Sequence, residues 1–145
     1  MFKMTIASSP QRILNNDVER NLAYFLSDIG YIPRMNPDTD MDTIRRSAGF
    51  RLFHECFLRD PQKYWEVEEI MSYLGISRTT LYRHLNKLKS MDVLEEAHGG
   101  RSKNYRLRGG SLESAWNWVE INVRMTMENY RKIVDTVWNQ AKKQS

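Results

Sequence analysis

The sequence predicts a mainly α-helical fold that contains one small β-hairpin. Apolar residues recur at helical spacing in five stretches, whereas residues 93–108 carry two short strand-like runs on either side of a glycine pair. The 145 residues are 41% hydrophobic and 28% charged, with only 7 Gly and 4 Pro. This composition is typical of a folded chain with a buried core, and it excludes collagen-like, low-complexity and wholly disordered proteins.

The chain lacks the usual signals of secreted and membrane proteins. Its single cysteine, Cys56, cannot form an internal disulfide or a Cys-x-x-Cys zinc or redox site. Residues 1–10 contain no apolar signal core, and the longest apolar runs are far shorter than the ~18 residues that span a bilayer. We therefore expect a cytoplasmic protein with no membrane partner.

Residues 1–40 are expected to form an N-terminal extension with one helix. Residues 1–13 show no period, so we expect them to fray. The helix is expected to begin at Asn16, whose side chain caps it while Glu19 completes a capping box, and to stop at Gly30. Residues 31–39 contain two prolines, which predicts a linker.

Residues 41–108 are expected to form the central domain, and its first helix lies in the core. This helix begins at Asp40 or Asp42 and runs to the Asp60-Pro61 pair, because proline cannot continue a helix. Its apolar positions all fall on one face: Ile44, Ala48, Leu52, Phe53 and Cys56.

A two-turn helix, a tight turn and a second helix follow within the same domain. The pattern predicts an extended pair at residues 64–65, a helix over 67–74 and a turn at Gly75. Ser77 caps the next helix, residues 78–90, in which three leucines form one buried stripe. The polar residues of that helix lie off the stripe and face solvent.

A hairpin with a basic tip completes the central domain and coincides with the basic excess of the chain. Residues 93–97 and 104–108 predict two strands joined by a glycine-containing loop. The whole chain has a net charge of +4, but residues 78–108 alone carry eight Lys or Arg and three Asp or Glu, a net charge of +5. Clustered cations are the footprint of a protein that binds a polyanion, although a solvated basic face is the plain alternative.

Residues 109–145 predict one long C-terminal helix that forms a dimer surface. Gly109-Gly110 breaks the chain, Ser111 caps the helix, and an apolar seam about 26 residues long, or roughly 40 Å, follows. That length exceeds what one small domain can cover, so we expect a homodimer, with intramolecular packing on the first helix as the alternative. The expected interface consists of Trp116, Val119, Val123, Met127, Tyr130, Val134 and Val137, with Leu22 and Phe25 of the first helix.

Helix, turn, helix and basic hairpin is the order of a winged helix-turn-helix. Residues 67–77 (VEEIMSYLGIS), residues 78–88 (RTTLYRHLNKL) and the Tyr105-Arg106-Leu107 strand resemble the arsenic-repressor-like (ArsR-like) and multiple-antibiotic-resistance-repressor-like (MarR-like) regulators. The resemblance covers about residues 42–108, and it implies a winged helix-turn-helix core with extra terminal helices that binds double-stranded DNA as a transcriptional regulator.

Metal sensing, which the ArsR-like resemblance implies for some members, is not expected here. The sensors use a cysteine pair before the recognition helix, or Asp and His ligands on the last helix. Residues 71–74 contain no cysteine, and residues 111–145 contain no histidine. The remaining soft ligands, His54, Cys56, His84 and His98, form no ligand pattern, so the sequence predicts no metal and no cofactor.

The expected DNA contacts lie on the second helix of the motif and on the wing. Arginine pairs with guanine, asparagine with adenine, and threonine contacts a thymine methyl group or a phosphate. Hydroxyls, lysines and the helix N-terminus suit phosphates, and wing cations suit phosphates or the minor groove. The candidates are Ser77, Arg78, Thr79, Thr80, Tyr82, Arg83, Asn86 and Lys87 on the helix, and Arg101, Ser102, Lys103 and Asn104 on the wing.

Two other kinds of binding function remain open, whereas an enzyme is the class with least support. A winged helix can serve as a protein-binding module in a larger assembly. A regulator can also be gated by a small-molecule effector bound among aromatic side chains. Metalloprotease, P-loop and nucleophile-elbow motifs are all lacking. The candidate effector-site aromatics are Tyr24, Phe25, Trp116, Trp118 and Tyr130.

Overall fold

The computed structural model describes residues 1–6, 8, 12–99 and 102–144 and shows a mainly α-helical fold with a three-stranded sheet. The predicted fold class is confirmed. The helices are α1 (Val18–Asp28), α2 (Met41–Arg46), α3 (Ala48–Arg51), α4 (Val67–Leu74), α5 (Arg78–Ser90) and α6 (Leu112–Gln144), and the strands are β1 (Trp65–Glu66), β2 (Leu94–Gly99) and β3 (Ser102–Leu107). Among the described helices, none combines the length and apolar character that a bilayer crossing needs.

The three-stranded sheet contains the hairpin, which follows α5 in the chain. Its strands are ordered β1-β3-β2 and are antiparallel throughout. Trp65 pairs with Tyr105, and the hairpin register runs from Leu94 opposite Leu107 to Gly99 opposite Ser102. The short β1 strand therefore ties the chain that precedes α4 to the base of the wing.

The N-terminal helix starts one residue later than the sequence predicts. Asp17, not Asn16, is the N-cap: its side chain accepts the amides of Glu19 at 3.1 Å and Arg20 at 3.3 Å. A carboxylate accepts the free amides as effectively as an amide oxygen does, and the positive end of the helix dipole stabilises its negative charge.

The segment over residues 31–39 is part of the core, so the predicted linker is wrong. Tyr31, Ile32 and Met35 are at most 7% exposed. The Met35 amide donates to Ser27 Oγ at 2.7 Å, and the Tyr31 hydroxyl donates to the Gly49 carbonyl at 3.0 Å. The buried side chains of Tyr31, Ile32 and Met35 hold this stretch in the core despite its turn-like composition.

Lys3 and Arg12 of the N-terminal segment are held by contacts with the rest of the chain, whereas Met1, Ile6 and Ile13 are exposed. The amide of Lys3 donates to the carbonyl of Ser90 at the end of α5, at 2.7 Å. Arg12 forms an ion pair with Asp28 at 2.7 Å. Residues 7 and 9–11, which the fray prediction also covers, lie outside the described residues.

The expected continuous helix over residues 40–60 is broken at Ser47. Asp40 caps α2, as one of the two expected starts, but Ser47 is extended (φ −69°, ψ 142°) and its hydroxyl donates to the carbonyl of Ile44 at 2.7 Å. α3 then continues as a π-helix over Leu52–Leu58. Four side chains of this π-helical stretch are buried in the core: Leu52, Phe53, Cys56 and Phe57.

One hydrophobic core joins all three predicted segments of the chain. It contains Leu26 from α1, Phe53 and Leu85 from the central domain, and Val119 from α6, each at most 1% exposed. Cys56 is fully buried in it, and burial raises the pKa of its thiol to about 12. The sulfur is therefore a packing atom rather than a reactive nucleophile.

Candidate nucleic-acid interface

The α4-turn-α5 unit holds α5 on the surface with one face in the core. Gly75 ends α4 in the left-handed conformation (φ +66°), and its amide donates to the Met71 carbonyl at 2.9 Å. Ser77 caps α5 by accepting the Thr80 amide at 3.2 Å. The leucine stripe of α5 is fully buried: Leu81, Leu85 and Leu88 are 0% exposed.

Three candidate base-reading residues form a stripe on the opposite face of α5. Thr79, Arg83 and Asn86 follow at spacings of four and three residues, which places them on one side of the helix. All three are exposed. Within the described part of the chain, none takes a side-chain hydrogen bond or an ion pair, so their polar groups face solvent.

The other candidates on α5 are engaged within the chain. Arg78 forms an ion pair with Glu68 of α4, which raises the pKa of Arg78. Lys87 Nζ donates to the Tyr31 carbonyl at 3.2 Å. Ser77 Oγ also donates to the Thr80 hydroxyl at 3.0 Å. Tyr82 is half-buried against the core.

His84 of α5 packs against Tyr31 in the buried segment over residues 31–39 and lies close to Gly49 of α3. Its ring meets the Tyr31 ring edge-on, with centroids 5.8 Å apart. A β-carbon at Gly49 would lie 3.0 Å from His84 Cε1, so glycine is what allows this close approach. Burial lowers the pKa of His84, and the nearby charges of Arg83 and Lys87 lower it further, so the imidazole is neutral at pH 7.

Carboxylates on β2 compensate the cations of the wing. Glu96 pairs with Lys89 of α5 and lies 3.9 Å from Lys103 Nζ, and the Lys89 hydrogen bond is the main cause that lowers the Glu96 pKa. Glu95 Oε1 accepts from Arg106 Nε at 2.6 Å. The hairpin is therefore less positive at its surface than its composition indicates.

The candidate DNA-contacting residues of the wing that the structure describes differ in their exposure. Lys103 is exposed and Ser102 is half-buried. Asn104 is half-buried, and its side-chain oxygen is buried with no hydrogen-bond partner among the described residues. Arg101, the expected tip residue, lies outside the described residues.

Asp92 connects the end of α5, the wing and the long helix, a role that sequence reasoning missed. It is left-handed (φ +64°), which aspartate tolerates better than most residues. Its carboxylate accepts from Arg108 NH1 at 2.7 Å and from Asn122 of α6. An aspartate directly after a helix end is the only sequence signal for this conformation.

The residues expected at the dimer interface divide into buried and exposed groups. Leu22 and Val119 are 5% and 1% exposed, so both pack in the core of their own chain. Phe25 and Trp116 pack edge to face with centroids 5.3 Å apart. Val123 is half-buried. The distal residues are open: Met127, Tyr130, Val134 and Val137 are 59%, 58%, 55% and 57% exposed.

A cavity of about 560 Å³ lies between the N-terminal segment, α1 and α6. Its walls are mainly apolar, and Asp28, Glu120 and Arg124 stand among them. Of the five aromatics proposed for an effector site, Phe25 and Trp116 line this cavity. Trp118 instead packs against Arg108, whose guanidinium carbon lies 4.5 Å from the centroid of the indole ring. In the described part of the chain, no group of three or more His, Cys, Asp or Glu side chains is arranged to hold a metal ion.

Two of the comparisons with known proteins give a match. The chain is similar to an NMR structure from Mycobacterium bovis described as the homodimeric winged helix-turn-helix DNA-binding domain, fragment 1–100, of a possible ArsR-family transcriptional regulator. The identity is 22% over 67% of this chain and 95% of that chain, and the TM-score is 0.37. A comparison with curated protein sequences gives no match. Residues 56–96, which contain α4, α5 and the start of β2, match the model of the ArsR family of bacterial regulatory proteins, and this match confirms the resemblance predicted from the helix-turn-helix motif.

Proposed function

We propose that the protein is a homodimeric transcriptional regulator that binds specific sequences in double-stranded DNA through α5. The observation that carries this proposal is the exposed stripe of Thr79, Arg83 and Asn86 on a helix whose opposite face is wholly buried. A recognition helix needs both features, because the core must hold it while its polar side chains enter the major groove. The family matched by residues 56–96 is one of regulatory proteins.

The chemistry of the stripe suits base edges. Arg83 can donate two hydrogen bonds to O6 and N7 of guanine, and Asn86 can pair with N6 and N7 of adenine. Thr79 presents a methyl group for thymine. These side chains break no intramolecular contact when they turn to DNA, because no described residue holds them.

The remaining candidates act on the phosphate backbone in this proposal. Ser77 and the N-terminal amides of α5 face one strand, and Tyr82 and Lys87 flank the stripe. Arg101, Ser102, Lys103 and Asn104 on the wing reach a phosphate or the minor groove. The exposed half of α6 joins two copies, so that two α5 helices enter successive major grooves.

A protein-binding winged helix is the second candidate, and the ion pairs of the wing favour it. Glu95 pairs with Arg106, and Glu96 pairs with Lys89 of α5 and lies near Lys103, so these carboxylates reduce the positive charge around the wing. This candidate predicts weak binding to nucleic acid that does not depend on Arg83.

Selection of bound sequences from a random pool of double-stranded DNA tests the proposal. We expect enrichment of a palindrome whose half-sites are about one helical turn, or ~34 Å, apart. The matched control is the triple variant Thr79→Ala/Arg83→Ala/Asn86→Ala, which removes exposed side chains and should fold like the wild type. Failure of the wild type to enrich any sequence over this control would exclude specific recognition by α5.

A further inference from the structure

The cavity beside α1 opens onto an apolar stripe that continues along α6 beyond the body of the protein. At about 100° per residue, Trp116 and Val123 of the cavity wall lie on the same side of the helix as Met127, Val134 and Trp138. The last three are 59%, 55% and 61% exposed. Half of the stripe is therefore covered by its own chain and half has no cover among the described residues.

The apolar positions of this stripe are nearly symmetric about Tyr130. Val123 and Val137 lie seven residues before and after it, and Val119 and Ala141 lie eleven residues before and after it. Met127 precedes it by three residues and Val134 follows it by four. Two copies of α6 that cross antiparallel at Tyr130 would thus place Val123 opposite Val137 of the partner subunit and Val119 opposite Ala141 of the partner subunit.

Building on the homodimer of the proposed function, we propose that two α6 helices pair antiparallel about Tyr130 and that Trp138 of the partner subunit fills the cavity of each chain. In this pairing Trp138 of the partner subunit lies at the level of Asn122, between Val119 and Val123, which both line the cavity. The cavity volume of about 560 Å³ is ample for an indole side chain. A buried aromatic anchor in a pocket is the usual centre of a stable interface.

The charges beside the stripe favour the antiparallel orientation. Arg124 on the cavity rim and Asp135 lie on one flank of α6, six residues before and five residues after Tyr130. Antiparallel pairing brings Arg124 next to Asp135 of the partner subunit, where the carboxylate would be shared with Arg131, 3.5 Å away in its own chain. A parallel pair in register would separate Arg124 from Asp135 of the partner subunit by ~16 Å along the axis and would leave the cavity open.

Site-specific cross-linking tests the orientation, because Cys56 is fully buried and the wild type should not react. Tyr130→Cys should cross-link two chains efficiently with a short thiol-specific reagent. Val137→Cys should not, since the two sites would be ~21 Å apart along the axis in the antiparallel pair. A mixture of Val123→Cys and Val137→Cys should form the mixed cross-link. These substitutions change one half-buried and two exposed residues.

The outcomes separate this inference from the proposed function. Cross-linking of Val137→Cys as efficient as that of Tyr130→Cys means parallel pairing, which overturns the inference and leaves the DNA-binding homodimer standing. Sedimentation of the wild type as a monomer at micromolar concentration overturns the inference and the homodimer together. Enrichment of DNA sequences from the random pool then still tests recognition by α5.

Occupation of the cavity is tested by Trp138→Ala, with Met125→Ala as the matched control. Met125 is 56% exposed on the opposite side of α6. Trp138→Ala should weaken dimerisation about tenfold or more and should admit an apolar fluorescent dye to the cavity, whereas Met125→Ala should do neither. Equal dimerisation constants and equal dye binding for the wild type and Trp138→Ala would mean that the cavity has another occupant, such as a small apolar ligand, and would overturn the inference.

Discussion

Replacement of Arg83 by alanine tests the centre of the proposed DNA-binding face most directly. Arg83 is exposed and, within the described residues, has no ion pair to lose, so the fold should not change. A bidentate arginine-guanine contact contributes about 1–3 kcal/mol of discrimination. A dimer on a palindrome has two such contacts, so the variant should lose about 2–6 kcal/mol, or roughly 30-fold to more than 10⁴-fold in affinity.

Lys87→Ala is the comparison that distinguishes base reading from general electrostatics. Lys87 Nζ donates to the Tyr31 carbonyl, so its charge remains beside the α5 surface while its position is fixed. We expect Lys87→Ala to weaken all sequences alike and to flatten the plot of log affinity against log salt concentration by about one unit per contact.

Fluorescence anisotropy on the selected operator and on scrambled DNA, at several salt concentrations, measures both effects. Arg83→Ala should reduce the affinity for the operator far more than the affinity for scrambled DNA, and repeated selection should relax one base position in each half-site. Equal losses on the two DNAs would refute base contact by Arg83.

Three further predictions concern stability, measured by urea unfolding. Gly109→Ala should lower the free energy of unfolding by about 2 kcal/mol or more, and Gly75→Ala by about 1 kcal/mol. Both glycines have positive φ, but only at Gly109 would a β-carbon lie 1.9 Å from Ser114 Oγ. Equal losses of stability in the two variants would contradict this reasoning. The pKa of His84 in the folded state is lowered from 6.5, so the unfolded state binds the proton more tightly. The free energy of unfolding should therefore fall as the pH drops below 6.5, and it should fall by less in His84→Gln than in the wild type. Parallel curves of stability against pH for the two proteins would exclude His84 as the cause. Asp92→Ala removes the carboxylate that accepts hydrogen bonds from Arg108 and Asn122, and it places alanine at φ +64°. The variant should therefore be less stable by about 2–4 kcal/mol. An unchanged unfolding midpoint would show that these hydrogen bonds contribute little to stability.

Local patterns were enough to predict the α4-turn-α5 unit. The leucine spacing of α5, the cap at Ser77 and the turn at Gly75 are all short-range features, and the structure has each of them. The hairpin followed from two strand-like runs around a glycine pair. Periodicity and capping depend on neighbouring residues only, which is why these elements could be predicted from the sequence.

The breaks and the packing of the N-terminal half could not be predicted in the same way. The apolar period of residues 44–56 is continuous, yet the helix breaks at Ser47 and continues as a π-helix from Leu52, and α3 approaches α5 closely at Gly49. Residues 31–39 resemble a linker because they contain two prolines, but Tyr31 is held by hydrogen bonds with residues far away along the chain.

The charge pattern shows most clearly where information from the sequence ends. The amino-acid order alone places the basic excess within residues 78–108 and predicts a polyanion-binding helix and wing. Only the tertiary structure decides that Arg78 meets Glu68, that Lys89 meets Glu96 and that Arg83 remains unpaired among the described residues. Net charge is a sum over residues, whereas the charge that is free to meet DNA depends on which carboxylates the fold brings within reach of each cation.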